Sequence, residues 1–324
     1  MVAASRLRLL PRAALLRWAA GRAAERRLSS LASLPRIQYE SLVGPSEVEA
    51  MASDGAIVLR DAVPTAWLEI LSEAAEANLR NPGPLCDEHA AASGTAGRFH
   101  DDQFLFHRHA AFEEYVLRSG VGGLAARAMA SRSACVLYDQ LFVKEPGTAA
   151  PTPWHNDTSY WHLRGRQICS VWLALDEVPR ERGLSYVRGS HTWDLLHRVT
   201  NFSGDAHSDR NTYAGADELP PVPDVDAAVA RGEYELLSWD MAPGDALLFY
   251  SAMLHGAPGV PPDSPHRRRG YATRWCGDDI TFDDRPGTMH TGWKAHGFDC
   301  GLRQGEPIEC ALHPNVLASG SAAA

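Results

Sequence analysis

The chain has 324 residues, 45% hydrophobic and 22% charged, with 31 Lys+Arg against 40 Asp+Glu. That length fits one large domain or two small ones, and that composition excludes a chain disordered throughout. No run of about 20 uncharged apolar residues occurs, which excludes a spanning helix. The net acidity argues against nucleic acid as a partner.

Residues 1–36 hold eight arginines and a single acid, Glu25, in an Ala/Leu/Ser-rich background. That is the composition of an organelle transit peptide, and arginines interrupt every apolar run that a secretory signal would need. The expected address is the mitochondrion, with plastid or cytoplasm as alternatives. A single domain is expected over 37–324. The six cysteines, Cys86, Cys135, Cys169, Cys276, Cys300 and Cys310, include no CxxC pair. They read as free thiols in a reducing compartment, and zinc held through cysteine is not expected.

In chain order, SEVEAMASDG reads as a helix starting at Ser46 with acids in its first turn. GAIVLRDAV (55–63) is a strand stopped by Pro64, and 64–80 has apolar residues at helical spacing. Residues 81–103 read as loop. Residues 107–129 read as helix, interrupted by Gly120, Gly122 and Gly123. From about 135 the pattern changes to short strands punctuated by PGT, RERG, RGS, APGD and PGVPPD. Helices followed by many short strands predict an α+β, mainly β chain, with a barrel or sandwich core at about 135–282. The stretch 198–232 is poor in large apolar residues and reads as a lid insertion.

The chemistry is concentrated in Trp154-His155-Asn156-Asp157. On a strand, His155 and Asp157 project to one face, and an imidazole beside a carboxylate supplies two of three ligands of a non-haem Fe(II) facial triad. The segment MAPGDALLFYSAMLHGA is too apolar for a surface loop, so His255 is expected at an inward-facing strand end. Beyond it, Arg267, Arg268 and Arg269 open another strand. Alternation turns at least one inward, where a guanidinium can grip a carboxylate bidentately. Trp154, Tyr160 and Trp161 are candidates for pocket wall or sheet core. His162, His191 and His197 read as structural surplus, and Gly277-Asp278-Asp279 as a strand-end cap rather than a second metal site.

The ordered set DGAIVLRDAVP, PWHNDTSYW, VWLALDEVPRERGLSYVRGSHTW, PGDALLFYSAMLHGA, RRRGYATRW and WCGDDITFDDRPG resembles the phytanoyl-CoA dioxygenase family of Fe(II)/2-oxoglutarate-dependent oxygenases. The resemblance runs from about Ser46 to about Leu317. It departs at Arg188, where the family usually has Pro. It implies a double-stranded β-helix (jelly-roll) core with flanking N-terminal helices, Fe(2+), 2-oxoglutarate as cosubstrate, and O2. By position, His155, Asp157 and His255 match the catalytic iron ligands. Arg268 best matches the residue holding the distal carboxylate of 2-oxoglutarate, with Arg269 the runner-up and Arg267 behind it. Gln140, Lys144 and Trp172 match weaker cosubstrate-pocket positions. The implied reaction is hydroxylation of a small organic or acyl substrate with release of succinate and CO2. The family's related halogenases carry a small residue where Asp157 stands. Two rival readings remain: a cupin-type metalloenzyme that does not use 2-oxoglutarate, and a catalytically silent jelly-roll binding protein.

Overall fold

Amphipathic spacing and turn residues set the local structure of this computed structural model. It describes residues 31, 33–89, 97–148, 151–198, 219–264, 267–285 and 288–317. The expected transit segment therefore lies almost wholly outside the described residues, as does 199–218 of the expected lid.

The N-terminal helices are α1 (Tyr39–Leu42), α2 (Pro45–Asp54), α3 (Thr65–Arg80), α4 (Ala110–Arg118) and α5 (Val121–Ala128). Helix α2 begins at Pro45 rather than Ser46, and the Glu47 carboxylate accepts the Gly44 N–H at 2.9 Å. In α3 the buried residues Trp67, Leu71, Ala74, Ala75 and Asn78 recur at helical spacing. Burial of Leu71 alone contributes about 1.5–3 kcal/mol. Gly120, at φ 96°, separates α4 from α5 in a conformation that side-chain-bearing residues rarely adopt.

The strands are β1 (Ala56–Leu59), β2 (Asp87–Glu88), β3 (Phe99–Gln103), β4 (Cys135–Lys144), β5 (Thr152–His155), β6 (Leu163–Arg164), β7 (Ile168–Ala174), β8 (Ser185–Val187), β9 (Leu236–Leu237), β10 (Ala246–Tyr250), β11 (His255–Ala257), β12 (Arg268–Cys276) and β13 (Thr281–Phe282). Helix α6 (Val225–Ala230) lies between β8 and β9 in sequence, and α7 (Met289–Ala295) follows β13. A seven-stranded sheet runs β1-β10-β7-β12-β4-β3-β2, a four-stranded sheet β5-β11-β8-β9, and β13 pairs with β6. All these pairings are antiparallel. The chain is thus mainly β with a jelly-roll core.

The large sheet is buried on both faces. Tyr271, Trp275, Leu141, Val143 and Leu173 pack in one cluster with the N-terminal helices. Ala272, Trp172, Leu247 and Phe249 pack in a second cluster with Tyr186 of the small sheet. Alternation along β12 therefore sends odd-numbered residues 269–275 toward the helices and even-numbered 268–274 toward the inter-sheet space. The loop expected over 81–103 is corrected: β2 and β3 extend the large sheet beyond β4. Phe-His-Asp-Asp-Gln carries no apolar alternation because Asp101 and Asp102 are buried through hydrogen bonds, not apolar contacts. Among the described residues, no helix is long and apolar enough to cross a membrane.

Candidate active site

Three side chains converge between the two sheets. His155 ends β5 and His255 opens β11, and the two are direct cross-strand partners with ring centroids 4.2 Å apart. Asp157 does not continue the strand as expected. It opens a short 3-10 turn, and extended backbone at Asn156 still turns its carboxylate back to His155, Oδ1 lying 3.4 Å from Nε2. One ligand atom from each of the three residues lies within 4.8 Å of the others, and all three residues are buried.

Tautomer and charge suit these groups to a metal. The Nδ1 of His155 lies 2.7 Å from the Pro153 carbonyl, and that of His255 lies 2.9 Å from the Met253 carbonyl. As a donor there, the His255 ring presents Nε2 as its acceptor nitrogen, while His155 Nε2 faces the Asp157 carboxylate. Burial, reinforced by His155, lowers the His255 imidazole to about 4. Burial alone would raise the Asp157 carboxyl, but a hydrogen bond from His155 and the charges of both histidines and Arg274 hold it below its ordinary value. His255 and Asp157 thus favour the deprotonated, ligating form. Asp157 Oδ1 accepts the Tyr160 hydroxyl, while Oδ2 is buried with no hydrogen-bond partner. A His₂Asp donor set with that oxygen vacant fits Fe(II).

The three arginines separate cleanly. Arg268 opens β12, is 8% exposed and lines the same cavity as the triad. Its Nη1 donates to the Arg182 carbonyl at 2.7 Å, and among the described residues it has no carboxylate partner. Burial lowers it to about 10, so it is still a cation at neutral pH. Arg269 faces the helices, forked onto Asp176 at 2.7 Å and paired with Glu76 at 3.2 Å. Arg267 pairs with Glu76 and Glu145.

Gln140 and Trp172 also line the cavity. The Gln140 amide donates to Asp101. The Trp172 indole lies over Gly270, where an added Cβ would fall 2.1 Å from Cζ2. Lys144 is the cross-strand partner of Arg268 but is not part of the cavity wall. Its Nζ donates to Thr152 Oγ1 at 3.1 Å, and burial beside Arg268 holds it well below the ordinary lysine value. Tyr160 lines the cavity, Trp161 is core, and Trp154 packs against Leu254 and Val187. Asp279 accepts the amides of Arg166 and Gln167, the capping role expected of that motif. Arg188 bridges Asp54 and Glu235, which accounts for a charged residue at that turn.

Several wall residues escaped the sequence reading. Arg274 is 4% exposed, its guanidinium 4.7 Å from the Tyr138 ring centroid, and no carboxylate pairs with it among the described residues. Alternation from Arg268 would have found it. Tyr186 stacks on His255 and interacts electrostatically with Arg268, its buried hydroxyl unpartnered. His89, Asp101 and Gln103 come from the stretch expected to be loop.

A family model described as Phytanoyl-CoA dioxygenase (PhyH) matches residues 51–270. No curated protein matches. Among solved structures, the non-heme alpha ketoglutarate dependent carbocyclase SnoK from nogalamycin biosynthesis is similar at TM-score 0.65 and 20% identity, covering 87% of this chain and 99% of its own. The epimerase SnoN, solved with Fe3+, alpha ketoglutarate and nogalamycin RO, is similar at TM-score 0.59 and 16% identity, covering 86% and 98%. EctD from S. alaskensis, solved with 2-oxoglutarate and 5-hydroxyectoine, is similar at TM-score 0.60 and 15% identity, covering 85% and 92%.

Proposed function

The chain belongs to the phytanoyl-CoA dioxygenase family, and from that premise we propose that it hydroxylates a small organic substrate, consuming O2 and 2-oxoglutarate and releasing succinate and CO2. Fe(II) and 2-oxoglutarate are the cofactor and cosubstrate of this fold's oxygenases. His155, Asp157 and His255 would hold the iron on one face, leaving the opposite face to cosubstrate and dioxygen. When bound, the metal supplies dioxygen activation coupled to oxidative decarboxylation of the 2-oxo acid.

The observation that carries the reading is Arg268. A buried guanidinium without a carboxylate partner is costly, and a dicarboxylate seated with one end at the triad supplies the missing charge. The Tyr186 hydroxyl adds a second donor beside it. Trp172 lies over Gly270 and opposite Ala272, in the cavity wall next to Arg268. Asp157 as third ligand leaves no ligand position for halide, which favours hydroxyl transfer over halogenation. The substrate half of the cavity carries Arg274 among Tyr138, Tyr160 and Met289. We read its substrate as a small molecule with an acidic group and an apolar body.

The test is succinate release from leader-free protein across a metabolite library with Fe(II) and 2-oxoglutarate. Stimulation by acidic members, with a hydroxylated product gaining one oxygen atom, is expected. Substrate turnover without 2-oxoglutarate consumption would sink the reading.

A further inference from the structure

A second group of metal-ligating side chains lies apart from the triad and shares no residue with it. His162 precedes β6, His290 lies in α7, and Cys300 and His313 come from the C-terminal stretch beyond that helix. Nitrogens of His162 and His313 and the sulfur of Cys300 lie within 4.8 Å of one another. His290 Nε2 is 3.4 Å from Cys300 Sγ, and its ring stacks on His162 with centroids 4.6 Å apart. His162 and His313 are fully buried; neither ring nitrogen of His162 has a hydrogen-bond partner, and His313 meets only the backbone at Val136 and Leu137. A fully buried ring with both nitrogens orphaned, beside a thiol and a second imidazole, is hard to reconcile with a purely packed core, because buried polar atoms are ordinarily satisfied.

We propose that His162, Cys300 and His313 form a structural zinc site, with His290, from its place beside Cys300 and Asp299, turning in as the fourth ligand. Three imidazoles and one thiolate are the donor set that a borderline-soft, tetrahedral ion takes, with four protein ligands closing the site. Zinc bonds of about 2.0–2.3 Å put neighbouring ligand atoms about 3.3–3.8 Å apart. The His290–Cys300 separation of 3.4 Å already has that value. Asp299 Oδ1 lies 3.4 Å from His290 Nε2 and is also engaged by the Gly301 amide, while Oδ2 pairs with Lys294; the carboxylate is therefore assigned as a neighbour that steadies His290 rather than as a ligand. Trp293 stands edge-on to His162 at 5.2 Å and Phe282 lies 5.4 Å from it, so the His162 side of the site is apolar.

The ion would tie two segments of the active cavity's wall to the C-terminal stretch. His162 is five residues beyond Asp157, and His290 adjoins Met289, a cavity-lining residue. His313 lies two residues before Asn315, whose backbone bridges Cys135 at the start of β4. The site is therefore a clamp on the C-terminal stretch, not a second reaction centre. Its ligands are scattered from 162 to 313, so no CxxC spacing reveals it.

The test is anaerobic Co2+ titration of chelator-stripped, full-length protein under reducing conditions. The His155→Ala/His255→Ala variant should bind one equivalent with a thiolate-to-cobalt charge-transfer band and intense tetrahedral d–d bands, and wild type should show the same charge-transfer band while taking up a further equivalent at the triad. Cys300→Ser should lose the charge-transfer band. Zn2+ should raise the melting temperature of the iron-site variant, since it binds the folded state. Absence of the band in wild type, its full persistence in Cys300→Ser, or no thermal shift with Zn2+ would overturn the proposal.

Discussion

Arg268 and Arg269 adjoin in sequence and differ in every physical respect. One is buried toward the cavity without a carboxylate, and the other is forked onto Asp176 toward the helices. Arg268→Ala should raise the apparent 2-oxoglutarate requirement at least about tenfold, equivalent to about 1.4 kcal/mol, and leave iron content unchanged. Arg268→Lys keeps charge but loses the planar fork and should recover only part of that loss. Arg269→Ala should leave 2-oxoglutarate use nearly intact and instead cost about 1–3 kcal/mol of stability, because it strands partly buried carboxylates. A cosubstrate titration with a parallel urea melt separates the two, and reversed phenotypes would reverse the facing of β12. His155→Ala should lose iron while the fold survives, since no core cavity opens; undiminished metal content would remove it from the triad. The i, i+2 spacing and the apolar run before His255 made these residues legible. Arg274 was equally legible by alternation but was masked by the apparent completeness of the arginine run.

At the scale of elements, apolar strands such as β7 and β10 were readable and β3 was not, because its burial is achieved through polar partners. The β12–β7 pairing depends on Gly270, whose missing Cβ makes room for the Trp172 indole. Gly270→Ala should displace that indole and weaken 2-oxoglutarate use severalfold, visible as a change in tryptophan fluorescence; an unaltered spectrum and titration would argue against the contact. Strand β4 carries a pH dependence. Burial raises Asp139 from 3.8 to about 7, against hydrogen bonds donated by Tyr271 and the Phe106 amide. The folded state thus holds a proton that the unfolded state releases. The contribution is fully present below 3.8 and is lost as pH rises through about 7. Asp139→Asn cannot ionise, so urea midpoints measured from pH 4 to 8 should fall more steeply for wild type than for the variant. Parallel profiles would contradict this assignment.

For the molecule as a whole, one jelly roll sets Arg268 of the large sheet and the His155–Asp157–His255 cluster at the small sheet around a single cavity. That layout was legible as an order of motifs along the chain. The contribution of the C-terminal stretch was not, because its histidines and cysteines meet only in three dimensions. The arginine-rich composition of residues 1–36 motivates a further expectation: if they act as a transit peptide, mass spectrometry of protein from its native cell should find an N-terminus near residues 28–37. Intact Met1 in the cytosol would end the import reading. The central claim is joint binding of iron and 2-oxoglutarate in the inter-sheet cavity. Its most direct measurement is the visible metal-to-ligand charge-transfer band formed when 2-oxoglutarate is added to the Fe(II) protein without oxygen. The band should appear in wild type, saturate at one equivalent of iron, and require at least about tenfold more 2-oxoglutarate in Arg268→Ala. No band in wild type, or an unchanged midpoint in Arg268→Ala, would contradict the account.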